Sequence, residues 1–81
     1  MLRLRRLSGA ELVQILRGFG FTVHFQRGSH MKLRRTVAEG TIQALTIPRI
    51  VESSLDTLHE IFTQAVRFIR DADLRPHFYT D

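Results

Sequence analysis

The chain has no cysteine and no tryptophan, and its 81 residues include two prolines. Without cysteine, disulfides and thiolate metal sites are excluded, and a reducing compartment is compatible with the sequence. No apolar run approaches the roughly 20 residues of a membrane-spanning helix, and the basic first residues are not followed by the apolar segment of a signal peptide. We therefore expect a soluble, cytoplasmic protein with no membrane partner.

The length limits the number of domains. A chain of 81 residues holds one small apolar core, and 43% hydrophobic residues are enough to form it. We predict a single folded domain over residues 1–81.

Positive charge is concentrated in the first half of the chain. Residues 1–40 contain eight Lys and Arg against two acids, whereas residues 41–81 contain four against six. A basic surface attracts polyanions, of which nucleic acid is the most abundant in a cell, and it binds them largely through phosphates. The same surface is also compatible with a role in solubility alone.

A helix followed by a strand is predicted near the N-terminus. Ser8 and Glu11 have the spacing of a capping box, so a helix should begin at Gly9 and end near Gly20. From Phe21 the apolar period changes from 3.6 to 2, which predicts a strand with Phe21, Val23 and Phe25 on its dry face, and Thr22, His24 and Gln26 on its wet face.

Two further strands should complete an antiparallel sheet. Arg27-Gly28 turns the chain into a strand over residues 29–37, and a hairpin turn at residues 38–41 leads to a third strand over residues 42–47. On the second strand, His30, Lys32 and Arg34 alternate with Met31 and Leu33, so the imidazole and two cations share a face.

A second amphipathic helix closes the predicted order of elements. Ser53 has the position of a cap, and apolar residues at spacings of three and four continue from Leu55, which predicts a helix to about residues 71–73. Residues 73–81 form a tail that either packs on the core or contacts a partner. The predicted fold is therefore α+β, with two helices on one face of a three-stranded antiparallel sheet in the order α-β-β-β-α.

The residue pattern excludes several chemistries and leaves one candidate site. The four histidines are scattered and have no metal-ligand spacing, no P-loop is present, and Ser29 and His30 should point to opposite faces of a strand, which disfavours a hydrolytic triad. What remains is His30, beside the cations Lys32 and Arg34. An imidazole can move a proton near neutral pH, and cations can stabilise charge on a phosphate. From these residues alone, an ordinary exposed strand histidine is the simpler interpretation of His30.

Several segments together resemble the HicA toxins of bacterial toxin–antitoxin pairs over about residues 7–66. The most specific is a glycine-serine-histidine at the start of the second strand. The segments that carry the resemblance are Ser8-Gly9-x-Glu11-Leu12, Gly20-Phe21, Arg27-Gly28-Ser29-His30, Thr46-Ile47-Pro48 and the helix near Leu58.

The resemblance implies a fold similar to the double-stranded-RNA-binding domain and a metal-independent ribonuclease that cleaves mRNA without a cofactor. It makes His30 the catalytic residue, positioned by Gly28 and Ser29, and it implies a HicB-type antitoxin as the protein partner. We add Arg27, Lys32 and Arg34 as candidate RNA phosphate contacts. The alternatives are a non-catalytic RNA-binding module and an interaction domain for an acidic protein.

Overall fold

The computed structural model describes residues 2–49 and 55–80. Its elements, in chain order, are β1 (Arg3–Leu4), α1 (Gly9–Gly18), β2 (Thr22–Arg27), β3 (His30–Thr36), a 3₁₀ turn (Ala38–Gly40), β4 (Ile42–Pro48), α2 (Leu55–Ala65), α3 (Asp71–Phe78) and β5 (Tyr79–Thr80).

Helix α1 begins with the capping box that the sequence predicts. The Ser8 backbone N–H donates to Glu11 Oε1 at 2.9 Å, and the Glu11 backbone N–H donates to Ser8 Oγ at 3.1 Å. These two bonds satisfy N–H groups that have no partner inside the helix. The chain leaves α1 through Gly20 at φ +94°, a conformation that favours glycine. The predicted start at Gly9 is confirmed.

Three strands form an antiparallel sheet in the order β2-β3-β4, so β3 is central. Strands β2 and β3 are joined by the two residues Gly28 and Ser29, since Arg27 pairs with His30. Strand β4 pairs with β3 along its whole length, from Ile42 opposite Thr36 to Pro48 opposite His30. The predicted α+β layout with a three-stranded antiparallel sheet is confirmed.

One face of the sheet packs against the helices. The central residues Leu33 and Leu45 are 0% and 2% exposed, respectively, and belong to the same cluster as buried residues of all three helices. The members of that cluster are Leu7, Leu12, Leu16, Phe21, Met31, Leu33, Leu45, Ile47, Leu58, Ile61, Phe62, Ala65, Ile69, Leu74 and Phe78. The opposite sheet surface, which bears His30, Lys32 and Arg34, is called the open face.

Strand β2 departs from the predicted alternation. Val23 pairs with Leu33, but Phe25 pairs with Lys32, so His24 is an additional residue in a β-bulge. A bulge changes which residues share a face, because two residues then oppose one on the partner strand. Phe25 was predicted on the dry face; it lies on the open face instead and is 52% exposed.

The second predicted helix is shorter than the sequence pattern indicates. Helix α2 ends at Ala65 rather than near residues 71–73, and a separate helix, α3, follows. In one continuous helix Phe62 and Phe78 would lie about 24 Å apart, at 1.5 Å per residue. The break brings their ring centroids to 5.4 Å, and Phe78 becomes fully buried. The break therefore allows Leu74 and Phe78 of α3 to be buried in the core.

The tail packs on the fold and pairs with the N-terminal arm. Strand β5 is antiparallel to β1, with Arg3 opposite Thr80 and Leu4 opposite Tyr79. Leu74 and Phe78 are buried in the core, so the described part of the tail, residues 73–80, packs on the core. The predicted cap at Ser53 lies outside the described residues. Within the described part of the chain, no helix has the length and apolar character to cross a membrane.

Candidate nucleic-acid interface

His30 lies at the end of the β2–β3 hairpin, as the first residue of β3, and it is exposed. Its cross-strand partner is Arg27, and directly opposed residues share a face of the sheet. Ser29 Oγ lies 3.3 Å from His30 Nδ1, within hydrogen-bond distance. The expectation that Ser29 and His30 point to opposite faces is wrong, because Ser29 belongs to the turn and the strand begins one residue later.

Backbone contacts anchor the turn that carries His30. Gly28 has φ +58°, and glycine at the first central position of a two-residue loop is typical of a type II′ turn. The Arg49 backbone N–H donates to the Ser29 carbonyl, and the Arg49 carbonyl lies directly against Gly9, where a Cβ has no room. The hairpin turn is therefore connected through Arg49 to the first residue of α1.

Sequence reasoning did not find this connection. The sequence does contain one signal for it, which is the glycine at position 9, directly after the serine cap. Many residues with a higher helix propensity than glycine are tolerated at this position, so its presence needs another reason. A glycine there indicates close approach of another backbone, but the sequence does not say which segment approaches.

The three predicted phosphate contacts lie on the same face as the imidazole. Arg27 is opposite His30, and Lys32 and Arg34 follow His30 at intervals of two on β3. Strands β2, β3 and β4 contain no aspartate or glutamate. The acids of the described residues lie in the helices and the 3₁₀ turn: Glu11, Glu39, Asp56, Glu60, Asp71 and Asp73. The three strands that form the open face are thus cationic and carry no carboxylate that would repel an anion.

The fourth cation of the sheet points the other way. Arg35 donates from Nη1 to the Phe19 carbonyl and from Nη2 to the Phe68 carbonyl, both at 2.7 Å, and from Nε to Gln43 Oε1 at 2.8 Å. Its guanidinium also lies 4.8 Å from the centroid of the Phe21 ring. Arg35 therefore joins the chain segments after α1 and α2 to the sheet, and it is no part of the open face.

The bulge changes the surroundings of the site. His24 does not face His30 across the hairpin, since His30 is opposite Arg27 and His24 is the bulged residue. Phe25 takes a place on the open face that the sequence pattern did not assign to it. Across residues 2–49 and 55–80, no group of three or more His, Asp or Glu side chains is arranged to hold a metal ion.

The side chains of the open face are largely exposed, including Phe25, Arg27, His30 and Lys32. A cavity of about 700 Å³ lies elsewhere, where the N-terminal arm meets Leu55 and β5, and none of the predicted site residues lines it. An exposed cationic sheet surface suits an extended polyanion better than a small enclosed ligand.

Two carboxyl groups on the helices have displaced pKa values. The hydrogen bond from the Ser8 backbone N–H holds the pKa of the Glu11 carboxyl below its usual value, and the Ser8 hydroxyl adds to this effect. Hydrogen bonding from Arg75 lowers the pKa of Asp71 in the same way. Both carboxyls serve the helices rather than the open face, Glu11 at the start of α1 and Asp71 at the start of α3.

No protein-family model, curated protein or solved structure matches this chain. The fold and the candidate site define it as a small α+β domain with a histidine and three cations on one face of a sheet whose strands carry no carboxylate.

Proposed function

We propose that this protein is a metal-independent endoribonuclease that cleaves mRNA, and that it is the toxin of a toxin–antitoxin pair. The observation that supports the nuclease is the exposed imidazole of His30 on a face with Arg27, Lys32 and Arg34, formed by strands that contain no carboxylate. The toxin role, the cytoplasmic location and a HicB-type antitoxin partner rest on the resemblance of residues 7–66 to HicA toxins.

The chemistry uses a nucleophile that RNA itself provides. His30 Nε2 accepts the proton of a 2′-hydroxyl, and the 2′-oxygen forms a bond to the adjacent phosphorus. The bond from phosphorus to the 5′-oxygen breaks, and that oxygen takes a proton from water, leaving a 2′,3′-cyclic phosphate and a 5′-hydroxyl. The hydroxide formed from that water takes the proton from His30, which restores the base. No cofactor is needed, and DNA is not a substrate because it lacks the 2′-hydroxyl.

Ser29 and the cations have distinct roles in this scheme. When Nδ1 carries the proton and donates to Ser29 Oγ, the lone pair of Nε2 is left to act as the base, so Ser29 orients the ring and Gly28 permits the turn. Arg27, Lys32 and Arg34 hold the phosphates and stabilise the charge that builds during transfer. Ser29 and Gly28 are therefore positioning residues.

Cleavage of RNA by the purified protein with a chelator present tests the proposal. We expect His30→Ala to reduce cleavage by about 10²- to 10⁴-fold, the usual value of a general base, while its unfolding curve matches the parent because His30 is exposed. The matched control is His59→Ala, an exposed histidine of α2, which should cleave normally. Full cleavage by His30→Ala, or loss of cleavage on chelation, would contradict the assignment.

A non-catalytic RNA-binding module is the second candidate. It is favoured by the exposure of Arg27, His30 and Lys32 on the sheet surface, where an RNA strand can be bound without burial of a scissile bond. Under this function the parent binds RNA without cleaving it, and His30→Ala changes the affinity little. Binding of an acidic protein instead of RNA would favour the interaction-domain alternative.

A further inference from the structure

We propose that Phe25 is a stacking platform for a base of single-stranded RNA, next to the scissile phosphate at His30. This inference deepens the proposed ribonuclease and rests on it for the identity of the RNA. The β-bulge at His24 moves Phe25 out of the alternation that would bury it, and the ring becomes 52% exposed.

The neighbours of Phe25 are the proposed RNA contacts. Lys32 is directly opposite Phe25, and Arg27 is two residues further along the same strand, beside His30. His30 is thus the diagonal neighbour of Phe25 across the two strands. Residues in this relation are typically about 7–8 Å apart in an antiparallel pair. One nucleotide step of an extended strand spans that separation, so a base on the Phe25 ring sets the next phosphate beside the imidazole.

Charge complementarity indicates that the molecule bound at Phe25 is a polyanion. No carboxylate lies on the three strands, and the cations Arg27, Lys32 and Arg34 border the ring. Aromatic rings on an exposed sheet stack on unpaired bases, whereas bases inside a duplex already stack on one another and are recognised through shape and backbone. The substrate is therefore single-stranded RNA.

Ile42 provides a matched control for this inference. It lies on the same face, opposite Thr36 at the other end of the sheet, and its exposure of 54% equals that of Phe25 within a few per cent. It is apolar and exposed but has no π-face. A general hydrophobic effect would involve both residues equally, whereas stacking beside His30 involves Phe25 alone.

The experiment measures binding of a short single-stranded RNA, and of its duplex with a complementary RNA, to the full chain carrying His30→Ala, so that the RNA stays intact. In this background we expect Phe25→Ala and Phe25→Leu to weaken single-strand binding by about 5- to 150-fold, the range of one base–aromatic stack. Phe25→Trp should retain the affinity, and Ile42→Ala should change it less than twofold.

A second readout follows from the absence of tryptophan in the chain. The indole introduced by Phe25→Trp should be quenched when single-stranded RNA binds, and the indole introduced by Ile42→Trp should not. Three results would overturn the stacking. The first is unchanged affinity of Phe25→Leu for single-stranded RNA, and the second is an equal loss of affinity with Ile42→Ala. The third is tighter binding of the duplex than of the single strand.

The outcomes separate this inference from the proposed function. If the parent cleaves RNA while Phe25→Leu binds normally, the stacking is wrong and the ribonuclease stands. If Phe25→Leu loses binding while the parent does not cleave, the stacking stands on a non-catalytic module and the ribonuclease is wrong.

Discussion

Arg35 should be the polar side chain whose removal costs the most stability. It makes three hydrogen bonds of 2.7–2.8 Å, to the carbonyls of Phe19 and Phe68 and to the amide oxygen of Gln43. Hydrogen bonds from a charged donor contribute about 1.5–3 kcal/mol each, but they are not additive in one side chain, and removal of a half-buried charge returns part of its desolvation cost. We expect Arg35→Ala to cost about 2–4 kcal/mol.

That loss is large for a domain of this size. At about 0.05–0.15 kcal/mol per residue, the total free energy of unfolding is about 4–12 kcal/mol. A loss of 2–4 kcal/mol corresponds to a fall in Tm of about 8–32 °C for a domain of 60–100 residues. Arg35→Lys should recover little of it, because an ammonium group lacks the planar fork that reaches three acceptors at once.

The assay is urea unfolding followed by circular dichroism, with the m-value checked for a change in the exposed surface. Arg34→Ala is the matched control, since the neighbouring arginine points to the open face; its stability should change by less than about 0.5 kcal/mol. A loss below 1 kcal/mol for Arg35→Ala, or an equal loss for Arg34→Ala, would refute the view that Arg35 joins both helix ends to the sheet.

Two further predictions concern the core and the first helix. Phe78→Ala should lower the free energy of unfolding by about 3–5 kcal/mol, as for other buried aromatics, because Phe78 is fully buried; a change under 1 kcal/mol in urea unfolding would show that the tail is not part of the core. The lowered pKa of Glu11 means that its contribution to stability is complete above its unfolded-state pKa and is lost as the pH falls through its folded-state pKa. Glu11→Gln should therefore lose less stability than the parent between pH 5 and pH 3, and identical slopes in urea unfolding would contradict the role of the capping box.

Much of the fold could be predicted because its signals are local. The capping box uses residues three apart, Gly28 and Ser29 form the whole connection between two strands, and the alternation of β3 follows from the pleat alone. For the same reason the shared face of His30, Lys32 and Arg34 could be predicted from their spacing, without knowledge of what packs beneath them.

The sequence by itself thus determined the start of α1, the three-stranded antiparallel sheet and the grouping of the imidazole with two cations. Only the tertiary structure decided the bulge at His24, the break after Ala65 and the pairing of β1 with β5. Each of these depends on contacts between residues far apart in the chain, which a local pattern does not encode. The bulge matters most for function, because it takes Phe25 from the predicted core and sets it beside His30.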